Sequence, residues 1–224
     1  TEKRGAFKAW TVLLALIAFS LSLLGTFLVR SGVLSSVHAF ATDPARGAFI
    51  LGFLGLVIGG SLTLFAWRAP KMLTGGRFTW FSREALLLAN NVVLLAAMGS
   101  VLLGTLYPLL MDALGMGKIS VGPPYFNAVF VPLMAPALFL VGIGPLTRWK
   151  EASMPDMISR LKWALGIAVV TGFALPLTLQ GFNPWATLGF FLAVWILLTV
   201  LIGFRERLKT GARLTSLPRA FWGM

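Results

Sequence analysis

Apolar positions fall into six long runs, each bounded by charge or by proline and glycine. The runs cover residues 7–29, 47–67, 84–108, 127–146, 161–179 and 185–204. A helix crossing roughly 30 Å of hydrocarbon needs about 20 mostly apolar residues. Each run is close to that length. Hydrocarbon offers no partner to a free backbone amide, so the spanning segments are helices whose hydrogen bonds close internally. The alternation of about ten residues that marks a spanning barrel does not occur. The pattern predicts an all-α, polytopic integral membrane bundle of about six transmembrane helices.

Composition supports this reading. Of 224 residues, 58% are hydrophobic and 12% charged, about half the charge fraction of an ordinary soluble domain. Folded in water, such a chain would expose large apolar patches, which excludes a cytosolic enzyme and a disordered tail. The absence of cysteine excludes disulfide scaffolds, zinc–thiolate sites, iron–sulfur clusters and thiol nucleophiles within the sequence. The chain runs from Thr1 to an apolar Phe221-Trp222-Gly223-Met224, and is expected to be part of a longer protein.

The net charge of +12 would suit nucleic acid, but its placement argues for topology. Sixteen of the nineteen Lys and Arg residues lie before or at the start of the first run, between the second and third, between the fourth and the start of the fifth, or after the sixth. Only Arg30, Arg46 and Lys118 lie on the other side. By the positive-inside rule both ends are cytoplasmic, and loops 30–46, 108–126 and 180–184 face outward. No nucleic-acid partner is needed. A cleaved signal peptide is disfavoured because the first run exceeds the usual apolar core and lacks a small-residue cleavage site.

Polar residues near the runs set the candidate chemistry. The only histidine, His38, lies in the first outward loop. If residues 33–41 are helical, Val33, Leu34, Val37, Phe40 and Ala41 share one face with His38 at its border, as in a helix lying flat at a membrane surface. An imidazole there suits a porphyrin iron, and equally suits a solvated loop histidine. Asp43-Pro44 reads as an N-cap followed by proline at the first helical position. Arg30 and Arg46 flank the loop, either as bidentate partners of propionates or as interface residues. Asn90-Asn91 reads as hydrogen-bond glue between helices, and Gly55-x-x-x-Gly59 and Ser100-x-x-x-Gly104 as close-packing faces. Ser82-Arg83-Glu84 reads as an N-cap with an acidic first turn, and Asn127 as the N-cap of the fourth span.

The segment Ser22-Leu-Leu-Gly-Thr-Phe-Leu-Val-Arg-Ser-Gly-Val-Leu-Ser-Ser-Val-His-Ala-Phe-Ala-Thr-Asp-Pro44 closely resembles the CcmF family, the large membrane subunits of the bacterial system I cytochrome c maturation haem lyase. The resemblance continues through Phe81-Ser-Arg-Glu-Ala-Leu-Leu-Leu-Ala-Asn-Asn91, Val101-Leu-Leu-Gly-Thr-Leu-Tyr-Pro108 and Val121-Gly-Pro-Pro-Tyr-Phe-Asn127. It implies that residues 1–46 end a haem-handling core and that 47–224 form a C-terminal-type membrane domain with five spans. It further implies an inner-membrane protein that takes haem from holo-CcmE and promotes thioether attachment to the Cys-x-x-Cys-His motif of apocytochrome c, with CcmH and CcmI presenting the substrate.

In that family two periplasmic histidines flank a tryptophan-rich segment and ligate a transient haem b, and His38 matches the second. The resemblance makes His38 the haem-iron ligand, with Arg30 and Arg46 as candidate propionate contacts and no catalytic acid or base in this segment. A second haem b of the family is held by two membrane histidines. With one histidine here that site cannot be completed, so the segment by itself is expected to be inactive. The rival readings are a haem or solute transporter, which should show charged groups or broken helices near the midplane, and a scaffold for partner subunits.

Overall fold

The computed structural model describes residues 7–32, 43–72, 79–179 and 182–209. Among these, six long helices follow in order: α1 Lys8–Arg30, α2 Pro44–Met72, α3 Arg83–Ala113, α4 Pro123–Ile143, α5 Met154–Leu179 and α6 Pro184–Lys209. A short 3₁₀ turn, Gly144–Leu146, follows α4. No strand occurs among the described residues. Each of the six helices is long and apolar enough to cross a membrane.

The chain divides into two compact units, residues 1–77 and 78–224. In the first, α1 packs on α2. Little of it is buried: α1 has no buried residue, while in α2 Leu54 is the buried hydrophobic. In the second unit α3 packs on α4, α4 on α6 and α6 on α5. Space therefore departs from sequence order, with α6 seated between α4 and α5.

The core of the second unit is built around Trp195 on α6, only 1% exposed, with Met157, Leu161, Ala164 and Ala168 of α5. Trp195 stacks on Phe139 of α4 at 4.9 Å between ring centroids. Its indole N–H donates to the Phe139 carbonyl at 2.9 Å. Phe139 thus receives ring and hydrogen bond together, an arrangement open to tryptophan because its large apolar body carries a single donor. The close approach depends on Gly142, where a Cβ would lie 2.5 Å from the Trp195 indole nitrogen.

The helix ends depart from the hydropathy boundaries where polar chemistry overrules it. α3 continues through Pro108 to Ala113, and α4 begins at Pro123 with Gly122 as its N-cap. The loop expected at 108–126 is therefore shorter, and Asn127 lies inside α4 rather than capping it. Proline costs no hydrogen bond at the first helical positions, since the N–H it lacks would have no partner there. α5 starts at Met154 rather than near Leu161. Its first turns project beyond the apolar run and are held by Arg160, which pairs with Asp156 at 2.9 Å and with Glu206 of α6 at 3.3 Å.

Candidate functional site

The turn between α1 and α2 carries the sequence-predicted site residues. His38 and the rest of 33–42 lie outside the described residues, so the surface helix expected over 33–41 and the imidazole itself do too. The frame on either side is defined. α1 ends with Arg30 in its last turn, and the Ser31 amide donates back to Phe27 O at 2.8 Å. Asp43 then donates its amide to Arg30 O at 2.9 Å. The chain thus returns at Asp43 to the end of α1 that it left at Arg30.

Asp43 also starts α2. Its Oδ1 accepts from the Arg46 amide at 3.2 Å, as an aspartate N-cap preceding proline should. Its Oδ2 pairs with Arg46 Nε at 3.2 Å. One carboxylate therefore caps the helix and orients the arginine, while its own backbone fastens the two helices. Packing enforces the closure, since a Cβ on Gly47 would lie 2.9 Å from Ser31 Cα. Arg30 and Arg46 are brought to the same mouth, Arg30 through its carbonyl and Arg46 through Asp43.

Elsewhere the structure redistributes the polar roles read from the sequence. A hydrogen bond tying α3 to α4 comes from Tyr125 Oη to Ser100 O at 3.0 Å. Asn90 instead lines an α3–α4 groove. Gly104 of the Ser100-x-x-x-Gly104 face is in close contact with Tyr125 and Phe126. Gly55 and Gly59 have nothing within 4 Å of an added Cβ, so that expected packing face is not used by the described residues. Asn127 lines an apolar cavity of about 710 Å³ between α4 and α6, together with Met134, Trp185 and Leu192. No cluster of three or more metal-ligating side chains occurs among the described residues.

Ser82 caps α3 as expected, accepting from the Ala85 amide at 3.2 Å. Glu84 does more than favour the helix dipole. It is buried, and its Oε2 accepts from the Lys150 amide at 2.8 Å. Around it the backbone segments pair, Thr79 N with Lys150 O at 3.0 Å, Arg83 N with Arg148 O at 2.9 Å and Ala152 N with Phe81 O at 3.0 Å. This latch joins the approach to α3 to the α4–α5 connection. Sequence spacing gives no sign of it, because its partners lie 65 or more residues apart. Asn183, also missed, caps α6 by accepting from the Trp185 and Ala186 amides at 3.0 and 3.2 Å. An Asn-Pro repeating the Asp43-Pro44 pattern was the available signal.

Six apolar spans, with a latched four-helix unit among them, define a multi-pass membrane protein. Its relatives act in cytochrome c-type biogenesis. The chain is 56% identical over 233 residues to the cytochrome c-type biogenesis protein CcmF of Pseudomonas aeruginosa, with 100% of this chain and 35% of that protein covered. Against CcmF of Escherichia coli the identity is 50% over 233 residues, covering 100% and 34%. A solved structure of the cytochrome c haem lyase CcmF matches with a TM-score of 0.63 at 28% identity, over 91% of this chain and 29% of that one. No family model matches. Along its whole length the chain belongs to the CcmF family, and it spans about a third of the length of the curated relatives it matches.

Proposed function

We propose that this chain forms part of the membrane subunit of a cytochrome c haem lyase, and that its α1–α2 turn presents His38 to a transient haem b on the periplasmic face. The observation that carries the proposal is the whole-length identity of 56% to a CcmF protein. The closure of the turn by Arg30, Asp43 and Gly47 supports the placement of the site. In this reading residues 1–46 end the haem-handling core, and residues 47–224 supply the membrane domain that anchors it.

The residues present fit the group in chemistry. His38 would hold the iron through a neutral ring nitrogen, and Arg30 and Arg46 would hold propionates, Arg46 with its orientation set by Asp43. The haem supplies vinyl groups that become thioethers with the thiols of a Cys-x-x-Cys-His motif. This segment contributes binding and orientation. Fixing one reactant at a protein surface makes the encounter with a presented peptide effectively unimolecular. Haem comes from holo-CcmE, the peptide is held by CcmH and CcmI, and the second haem b needs histidines this segment does not contain. The protein is read as residing in the inner membrane with loops 31–43, 114–122 and 180–183 outward. The lyase is favoured over a transporter because the buried carboxylate Glu84 sits at a helix start within the latch, not in mid-span.

The test is His38→Ala in a full-length CcmF-type chain carrying this sequence, with holocytochrome c read by haem staining. The expected result is loss of at least nine-tenths of the holocytochrome with the protein still in the membrane. Normal cytochrome assembly would leave only the scaffold reading.

A further inference from the structure

The groove between α3 and α4 lies at the start of α3 and the end of α4, and nothing in the haem lyase reading uses it. It has a volume of about 180 Å³ and is lined by Leu86, Leu87, Leu140 and Val141, with Arg83 at its mouth and Asn90 deeper in. Apolar cavities of comparable volume take up a benzene ring in other proteins, so the space suits a stretch of hydrocarbon. Asn90 follows Arg83 by seven residues, roughly 10 Å along the helix axis. The groove is thus basic at one end, apolar along its walls and carries one amide within.

The mouth is built rather than merely basic. Arg83 lies over the Trp149 ring at 4.8 Å, and its amide donates to Arg148 O at 2.9 Å, which fixes Arg148 beside it. The Glu84 carboxylate holds the Lys150 amide at 2.8 Å, so a third cationic residue, exposed, belongs to the same connection. Two carboxylates oppose the three cations. Glu84 is buried and hydrogen-bonded, and Glu151 follows Lys150 in the exposed connection. The outward-facing balance is therefore positive. A guanidinium stacked on an aromatic ring is weakly hydrated and matches a phosphate bidentately. Basic pockets between spanning helices recognise anionic lipid headgroups in this way.

We propose that this groove is a binding site for one anionic phospholipid. The phosphate lies against Arg83 and Arg148, an acyl chain runs between Leu87 and Val141, and Asn90 donates to an ester carbonyl below the headgroup. The bound lipid then fills the α3–α4 groove beside the Ser82–Lys150 latch and seals it toward the bilayer. Charge complementarity at the mouth selects a lipid over a further helix, and the apolar walls select it over free phosphate.

The test uses the full-length protein carrying this sequence in nanodiscs of phosphatidylcholine doped with phosphatidylglycerol, with retained lipid counted by native mass spectrometry. The protein should retain phosphatidylglycerol selectively. Each cation near a membrane surface contributes about fivefold in affinity. Arg83→Gln should therefore lower retention about fivefold, and Arg83→Gln with Arg148→Gln more than that. Leu87→Trp, which fills the groove and leaves every cation in place, should also abolish selective retention, while Lys162→Gln on α5 should not alter it. Inorganic phosphate at millimolar concentration should not compete. Equal retention of the two lipids overturns the proposal, as does an Arg83→Gln protein that keeps its phosphatidylglycerol. Retention indifferent to Leu87→Trp, or a protein helix found in the groove, overturns it equally.

Discussion

Two faces of small residues look alike in the sequence and differ in the fold. Ser100-x-x-x-Gly104 is filled, with the rings of Tyr125 and Phe126 against Gly104 and the Tyr125 hydroxyl on Ser100 O. Gly55-x-x-x-Gly59 has nothing against it, and large residues on the same helix stand exposed beside it, Leu56 at 73% and Phe49 at 75%. The units that carry these faces differ in the same sense. The second unit has a core, a latch and a buried tryptophan. In the first unit α1 packs on α2 with little burial, and a backbone hydrogen bond joins the two helices at the turn that leads to the candidate ligand. Hydropathy reports whether a helix enters a membrane. Burial reports what it meets there, and in lipid that is decided by close packing and hydrogen bonds rather than by apolarity.

The comparison can be broken by adding one methyl group in each unit. Gly142→Ala should have the largest effect, because the new Cβ meets both Trp195 Nε1 at 2.5 Å and Thr199 Oγ1 at 3.0 Å. Overpacking of this kind costs about 1–3 kcal/mol, seen as a clear fall in the thermal midpoint in detergent. Gly55→Ala and Gly59→Ala should shift the same midpoint by less than about 0.5 kcal/mol. A large loss at Gly55 in this chain would show that the open face is packed after all.

Gly47→Ala should come next and act locally. Its Cβ would press on the Ser31 backbone, so the Asp43–Arg30 hydrogen bond should lengthen or break, at a cost of about 1–2 kcal/mol. Faster hydrogen exchange at the Asp43 amide would record the opening. Unchanged protection there would show that the turn closes without glycine.

One substitution should give a gain. Lys150 sits at φ 66°, a left-handed conformation that costs a side chain-bearing residue roughly 1–2 kcal/mol. Lys150→Gly keeps the amide that Glu84 accepts and relieves that cost. The second unit should melt later by the equivalent of about 1 kcal/mol. A lower midpoint would mean that the lysine side chain contributes more than its backbone conformation costs.

Much of the fold was legible because a bilayer makes one demand on every span. Six apolar runs gave six helices, and Ser82 and Asp43-Pro44 were readable as helix starts from residue type alone. The misread boundaries have one cause. Hydropathy marks where hydrocarbon ends, whereas helices end where their hydrogen bonds do, so Arg160 with its two carboxylates carries α5 beyond its apolar run and Pro123-Pro124 starts α4 four residues before Asn127. The Glu84 latch and the α4–α6–α5 order depend on contacts remote in sequence, and no local pattern encodes them. For the candidate site, the sequence supplied His38, Arg30 and Arg46. The structure added what it could not show, that Asp43 ties the start of α2 to the end of α1 and takes Arg46 as its ion-pair partner.

The central claim is that His38 ligates haem iron, and the most direct measurement is the visible spectrum of a haem-loaded, full-length CcmF-type protein carrying His38→Ala. A ligand role predicts that the low-spin bands of the haem held by His38 are lost and that added imidazole restores them. Bands that persist unchanged in the variant would contradict it.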